Sequence, residues 1–249
     1  MKLNKKIIYL IIIVVLLFCW QYFGSTNDMV RLLISYTSLI GNYFLSNAQD
    51  LIEATGITLY ESVIGLIIAT VFSFGVMILC FYKPKIMDFI LPVMVTSQVI
   101  PLIVLAPFFI ILLGIGLTSK IAMAALMCFF PIFVNFAQGY KIISKNIHEL
   151  MFTYNAPKSF TIFNVYFPLS MPSIIAGLKI SATLAVIGAI VAEFNGADLG
   201  LGKNLYLSAK RLEPELMMTS LILSTIIGFL LFYIVKIIEV LKGEWYHEK

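Results

Sequence analysis

Long apolar runs alternate with short polar stretches along this chain. Six of the runs, roughly 7–24, 57–82, 86–113, 119–140, 173–194 and 215–238, are long enough to predict membrane-crossing helices. A helix needs ~20 mostly apolar residues to cross a hydrocarbon core ~30 Å thick. Strict alternation of apolar and polar residues over strand-length segments, the mark of a membrane barrel, is missing, so the class is all-α. The third run carries Pro92, Pro101 and Pro107 and the fourth carries Pro131, which predicts kinks with locally unpaired carbonyls. Between the first two runs, Leu32, Leu33, Tyr36, Leu39, Ile40, Tyr43 and Phe44 recur at helical spacing and predict a helix over 29–45 lying along a membrane surface.

Composition agrees with the pattern. Hydrophobic residues make up 61% of 249 and charged residues 12%, with a mean hydropathy of +1.00, far from a soluble domain. The expectation is one polytopic domain over 1–249, without internal repeats. With the N-terminus in the cytoplasm, twelve basic residues fall on inner segments (among them Lys2, Lys5, Lys6, Lys83, Lys85, Lys141, Lys145 and Lys158) and five fall outside (Arg31, Lys120, Lys203, Lys210 and Arg211). That bias predicts both termini inside and gives the net charge of +4 a topological meaning that needs no nucleic acid. The basic start Met1 to Lys6 and the apolar run after it lack a small-residue cleavage site, so the run reads as a retained anchor. Cys19, Cys80 and Cys128 all fall within runs and read as small packing residues.

The most informative stretch is 149–172, ELMFTYNAPKSFTIFNVYFPLSMP, which is partly polar and amphipathic between strongly apolar runs. Periodicity predicts a short helix through Ile147 to Tyr154, a break at Asn155-Ala156-Pro157 and a second helix through Ser159 to Tyr166. The first would present Ile147, Leu150, Met151 and Tyr154, and the second Phe160, Phe163 and Phe167. Asn tolerates left-handed geometry and Pro157 can open a helix; Pro168 and Pro172 are expected to end the second helix and redirect the chain. His148 beside this elbow reads as a surface residue.

The elbow resembles the cytoplasmic coupling loop (here 141–172) of binding-protein-dependent ABC importer permeases, whose pattern is Glu-Ala-Ala, three residues, Gly, nine residues, Ile-x-Leu-Pro. Glu149 stands at the Glu position, Leu150 and Met151 at the alanines, Asn155 at the Gly, and Val165-Tyr166-Phe167-Pro168 at Ile-x-Leu-Pro. The likeness to the nitrate, sulfonate, taurine and thiamine-precursor permeases extends over 56–240. It runs through Pro101 to Pro107, Gly114-Ile115-Gly116, Phe129 to Asn135, Gly139, Ala176 to Ile180, Val191-Ala192-Glu193-Phe194, Gly196-Ala197 and Gly200-Leu201-Gly202.

The resemblance implies a six-helix permease of the type I importer fold in a bacterial plasma (inner) membrane. Its elbow, through Glu149, Leu150, Met151, Tyr154, Asn155, Ala156, Pro157, Lys158, Phe160, Phe163 and Pro168, would dock on a separate ATPase subunit that binds the ATP. Two ATPase copies, a second permease copy (a homodimer, with a heterodimer open) and an extracellular or periplasmic binding protein complete the implied assembly. The chain itself has no Gly-x-x-x-x-Gly-Lys-Ser/Thr loop, since Ala197 stands five residues before Gly202 and Asn204 follows Lys203. Gly196 to Lys203 therefore reads as an outside turn. No catalytic residue, metal site or resident cofactor is expected.

Polar side chains within the runs, namely Thr96, Ser97, Gln98, Asn135, Gln138 and Glu193, are the candidates for a solute path, with Gln98 and Asn135 foremost. Glu193 sits near the outer end of its run, solvated or paired with a loop lysine, and Glu61 is expected to be wet. An uncharged path and the Leu150-Met151 variant favour a small heterocycle, such as a thiamine pyrimidine precursor or a riboflavin-like compound, over nitrate, alkylsulfonate or taurine. A secondary transporter independent of an ATPase is the rival reading, though intramembrane acid clusters and inverted repeats are not evident. A membrane enzyme is a third reading; its ligand and base clusters are missing, with His148 and His247 the sole histidines.

Overall fold

A computed structural model of the chain describes residues 5–26 and 35–242. The predicted surface helix over 29–45 begins outside the described residues, as do Lys2, Arg31, His247 and Lys249. No strand occurs among the described residues. Helix α1, Lys5–Thr26, occupies the first apolar run. Helix α2, Thr37–Ser46, is followed after Asn47 by α3, Ala48–Tyr82. Next come α4, Pro84–Ser97, and α5, Leu105–Leu113, joined through a short 3-10 turn, and then α6, Leu117–Ile142. The elbow contains α7, Lys145–Thr153, and α8, Lys158–Thr161; α9, Phe167–Glu193, α10, Leu201–Arg211, and α11, Pro214–Lys242, complete the chain.

Four stretches are long and apolar enough to cross a membrane by length and composition: Ala48–Tyr82, Leu117–Ile142, Lys158–Glu193 and Pro214–Leu241. The expected third crossing is broken in two. Pro101 disfavours helical geometry at Ile100, and the chain passes through single turns, with Val99 N donating to Thr96 O and Ile100 N to Ser97 O, before α5 restarts. The second run begins earlier than expected, at Ala48. With 35 residues α3 is ~52 Å long, well beyond the ~30 Å apolar core, so its Asp50 and Glu53 turns extend past it.

Pro168 and Pro172 do not end a helix, contrary to expectation. A wide π turn over Ile162–Tyr166 precedes Pro168, and the Phe167 N–H donates to Ile162 O, five residues back. That added residue lets a helix absorb a ring that would collide with the carbonyl four residues before it. The path from Lys158 to Glu193 is therefore one continuous rod.

The centre of the bundle is the antiparallel α6–α9 pair. Half of each apolar stretch is buried there, against 17% for α11. Helices in lipid gain little from the hydrophobic effect and approach closely where side chains are small. A Cβ on Gly188 would stand 2.7 Å from the Ala124 Cα, and one on Gly177 would stand 2.9 Å from Pro131 O and from the Asn135 Cβ. Between these points Ser181 Oγ donates to Cys128 O at 2.8 Å, and the Cys128 thiol donates to Ser181 O at 3.2 Å. On the other side of Ala124, Gly65 brings α3 equally close, with a notional Cβ 2.6 Å from the Ala124 methyl.

Gly188→Ala should lower the unfolding midpoint in detergent, by about 1–3 kcal/mol of overpacking. Gly75→Ala, where nothing lies within 4 Å, should be neutral or stabilising. Equal midpoints for the two variants would show that close approach at Gly188 is not what holds α6 to α9.

Candidate functional site

The elbow is built by a helix stop and an aromatic clamp. Helix α7 ends at Thr153, Asn155 takes φ 48°, the Ala156 N–H donates to Met151 O at 3.1 Å and the Asn155 N–H to Phe152 O at 3.0 Å. This is the paired bonding of a Schellman stop with its left-handed residue at Asn155, and Pro157 then prevents the helix from resuming. The left-handed requirement explains why asparagine can stand where the resembling pattern has glycine.

Behind the stop, His148 lies half-buried and not on the surface as expected. Its Nδ1 is 2.6 Å from the Tyr166 hydroxyl, and its ring packs on Tyr166 and Tyr140 with centroids 4.8 and 5.6 Å apart. Phe81 at the end of α3 packs on both tyrosines, and Phe167 packs on Phe74 and Phe136. Edge and tilted ring contacts of this kind hold geometry as well as bury area. The elbow is thereby fixed to the ends of α3, α6 and α9 together.

The outer surface of the elbow is apolar. Leu150, Tyr154, Phe160 and Phe163 are each about half exposed or more, and Phe152 is 87% exposed. Met151 and Ala156 are half-buried, Asn155, Pro157 and Lys158 are exposed, and Pro168 is half-buried within the rod. The expected face of α7 splits: Ile147 and Met151 turn inward with His148, while Leu150 and Tyr154 turn outward with Phe152. Phe152 escaped the periodicity because it lies off the apolar stripe; its signal was an aromatic residue opposite that stripe on a short helix between the long apolar stretches. Glu149 is exposed and pairs with Lys145 at 3.5 Å, a solvated pair worth little to stability and free to exchange partners.

A second feature lies midway along the α6–α9 pair. Gln98, at the break after α4, and Asn135 on α6 lie on one open cleft of about 360 Å³, with Met127, Phe130, Pro131, Val134, Ile180 and Leu184. That volume lies at the lower end of small-molecule sites. Asn135 Nδ2 donates to Pro131 O at 2.8 Å, leaving Oδ1 and one N–H for another partner. Thr96 and Ser97 are exposed one turn away and bond back to Pro92 O and Met94 O, and Gln138 is exposed.

Glu193 is elsewhere. It lies 1% exposed at the end of the bundle away from the elbow, where it accepts hydrogen bonds from the Thr58 hydroxyl at 2.7 Å and from the Gly202 N–H. Glu61 is likewise fully buried and not wet, with Lys120 3.8 Å away and itself 7% exposed. Long-range packing of α3, α6, α9 and α10 closes this end over groups that sequence position alone put near water. The expected turn Gly196 to Lys203 is also revised: from Leu201 it is the first turn of α10, begun after Gly200 at φ 133° and capped in part by Thr58, whose Oγ1 accepts the Leu201 N–H. The signal for α10 was Leu201, Leu205 and Ser208, which share one buried face.

Residues 61–241 match the family described as the binding-protein-dependent transport system inner membrane component. Among individual proteins, the formylaminopyrimidine transport permease protein ThiX of Halalkalibacterium halodurans is 36% identical over 73% of each chain. A probable ABC transporter permease protein of Haemophilus influenzae is 28% identical over 90% of this chain and 91% of its own. The riboflavin transport system permease protein RibX of Chloroflexus aurantiacus is 30% identical over 62% of this chain and 58% of its own. The apolar helices, the stopped elbow and a match that runs from α3 into α11 agree, and the chain belongs to the inner-membrane permease family of binding-protein-dependent ABC importers.

Proposed function

We propose that this chain is the membrane-crossing half of an ATP-driven importer, and that its elbow is the handle on which an ATPase subunit pulls. The observation that carries the reading is the pairing of an exposed apolar surface with a rigid mount. Leu150, Phe152, Tyr154, Phe160 and Phe163 offer aromatic and aliphatic anchors of the kind that concentrate interface energy, flanked by Glu149 and Lys158. His148, Tyr140, Tyr166 and Phe81 tie that surface to three long helices. Movement of the elbow is then passed into the bundle and not absorbed in a loose loop. ATP acts by binding one arrangement of the assembly better than the other, which is the only way a ligand shifts such an equilibrium.

A count of six crossings is supported by α1 and the broken α4–α5 pair, taken together with the four long stretches. Both termini lie inside, and a second permease copy supplies the other wall of the path. Two ATPase copies and a binding protein complete the assembly. The solute is a small, uncharged, flat heterocycle delivered by that binding protein. The Gln98–Asn135 cleft supports this: it is apolar apart from two amides and contains no charged side chain, so it suits a ring bearing donors and acceptors better than an anion. The ThiX and RibX likenesses favour the same class.

Glu149→Arg, Phe152→Arg and Phe163→Arg should leave the chain inserted but weaken ATPase association by about 10-fold or more, uncoupling ATP hydrolysis from uptake in reconstituted vesicles. Wild-type uptake in all three would remove the docking role. Gln98→Leu and Asn135→Leu should each cut uptake by about 10-fold with the ATPase still bound. Loss of ATPase association in the same assay would make these two residues structural.

A further inference from the structure

At the end of the bundle away from the elbow, α3, α6, α9 and α10 close around Thr58, Glu61, Lys120 and Glu193, all more than nine-tenths buried. Glu193 is well supplied, by the Thr58 hydroxyl and the Gly202 N–H. The chain also makes room for it: a Cβ on Gly200 would fall on its carboxyl group, and one on Gly202 would stand 2.7 Å from Oε2. Glu61 is not supplied. Neither of its carboxyl oxygens accepts a hydrogen bond among the described residues. Lys120 Nζ, 3.8 Å from Oε1, is an ion-pair neighbour beyond hydrogen-bond length. The charged neighbours of the Glu61 carboxyl are the Glu193 carboxyl and Lys120.

Two ionised carboxylates would be two acceptors facing each other with nothing to share. Their formal charge with Lys120 is −2 + 1 = −1, held where no water-facing atom could spread it. The other charged side chains at this end, Asp50, Glu53, Asp198, Lys203, Lys210, Arg211, Glu213 and Glu215, are all half-buried or exposed. One added proton removes the net charge and turns the facing acceptors into a hydrogen bond, as carboxyl pairs sharing a site do. We propose that Glu61 and Glu193 share a single proton at neutral pH and form, with Lys120, a charge-neutral latch that holds the first turn of α10 against α3 and α9. Neither the ATPase contact nor the solute cleft is needed for this assignment.

Infrared spectra of the full-length chain in ester-free detergent test it directly. The wild type should show one buried carboxylic-acid carbonyl band at neutral pH. Glu61→Gln and Glu193→Gln should each abolish it, because the remaining carboxylate is then balanced by Lys120. Lys120→Met should roughly double it, because the second carboxylate can no longer stay ionised unpaired. Unfolding measured from mildly acidic to mildly alkaline buffer gives a second readout. A proton bound in the folded chain but not in the unfolded one makes wild-type stability fall as pH rises, and Glu61→Gln should flatten that slope by one proton. A band that survives either glutamine variant, or is absent from the wild type, overturns the shared proton. So does sodium-dependent stabilisation lost in Glu61→Gln, which would assign the missing positive charge to a metal ion.

Discussion

Close approach of α6 to α9 is the contact on which the other parts hang. Ala124 is wedged between Gly65 and Gly188, Cys128 and Ser181 exchange hydrogen bonds, Gly177 admits Pro131 and Asn135, and Gly139 admits Ser170 and Ser173. In lipid there is no water to expel from between helices, so attraction comes from many short-range contacts and a few interhelical hydrogen bonds. Small residues make those contacts available along the whole length of the pair. The two prolines that enter this region are accommodated by it: Pro131 at the Gly177 crossing, and Pro168 by the wide turn before it.

Each candidate feature is attached to a different level of that pair. The elbow joins the C-terminal end of α6 to the rod that becomes α9, and an aromatic cluster around His148 and Tyr166 stiffens the corner. Midway, Asn135 and Ile180 from the two helices form one wall of the cleft that Gln98 completes. At the far end, Lys120 on α6 and Glu193 on α9 meet Glu61 from α3. A displacement applied at the corner thus reaches the cleft through packed backbone and not through a chain of flexible side chains.

The distribution of polarity follows from the same geometry. Many apolar side chains on the long helices are exposed, while in the elbow Leu150, Phe152 and Tyr154 lie on or just after a short helix with charged neighbours, outside the apolar stretches, and Phe160 and Phe163 lie at the start of one. Most polar groups inside the bundle are bonded to backbone or to each other, as a low-dielectric interior demands; among the described residues the buried side chains of Trp20, Ser35, Glu61, Ser170 and Ser220 include atoms that are not. Glu61 is the exception of greatest chemical consequence.

Local rules were enough for much of this protein. Apolar run lengths located α3, α6 and α11, and chain chemistry at Asn155-Ala156-Pro157 located the elbow stop, because a left-handed asparagine followed by proline acts within a few residues. The sequence by itself also determined that the elbow carries aromatic residues and that Gln98 and Asn135 are polar in an apolar setting. Three things it did not determine: that Pro168 and Pro172 sit inside a continuous rod, that Phe152 and not Met151 faces outward, and that Glu61, Lys120 and Glu193 are buried together. Those were decided by the tertiary structure, since a backbone detour, the facing of a short helix and the dielectric around a charge all depend on neighbours far away in the chain.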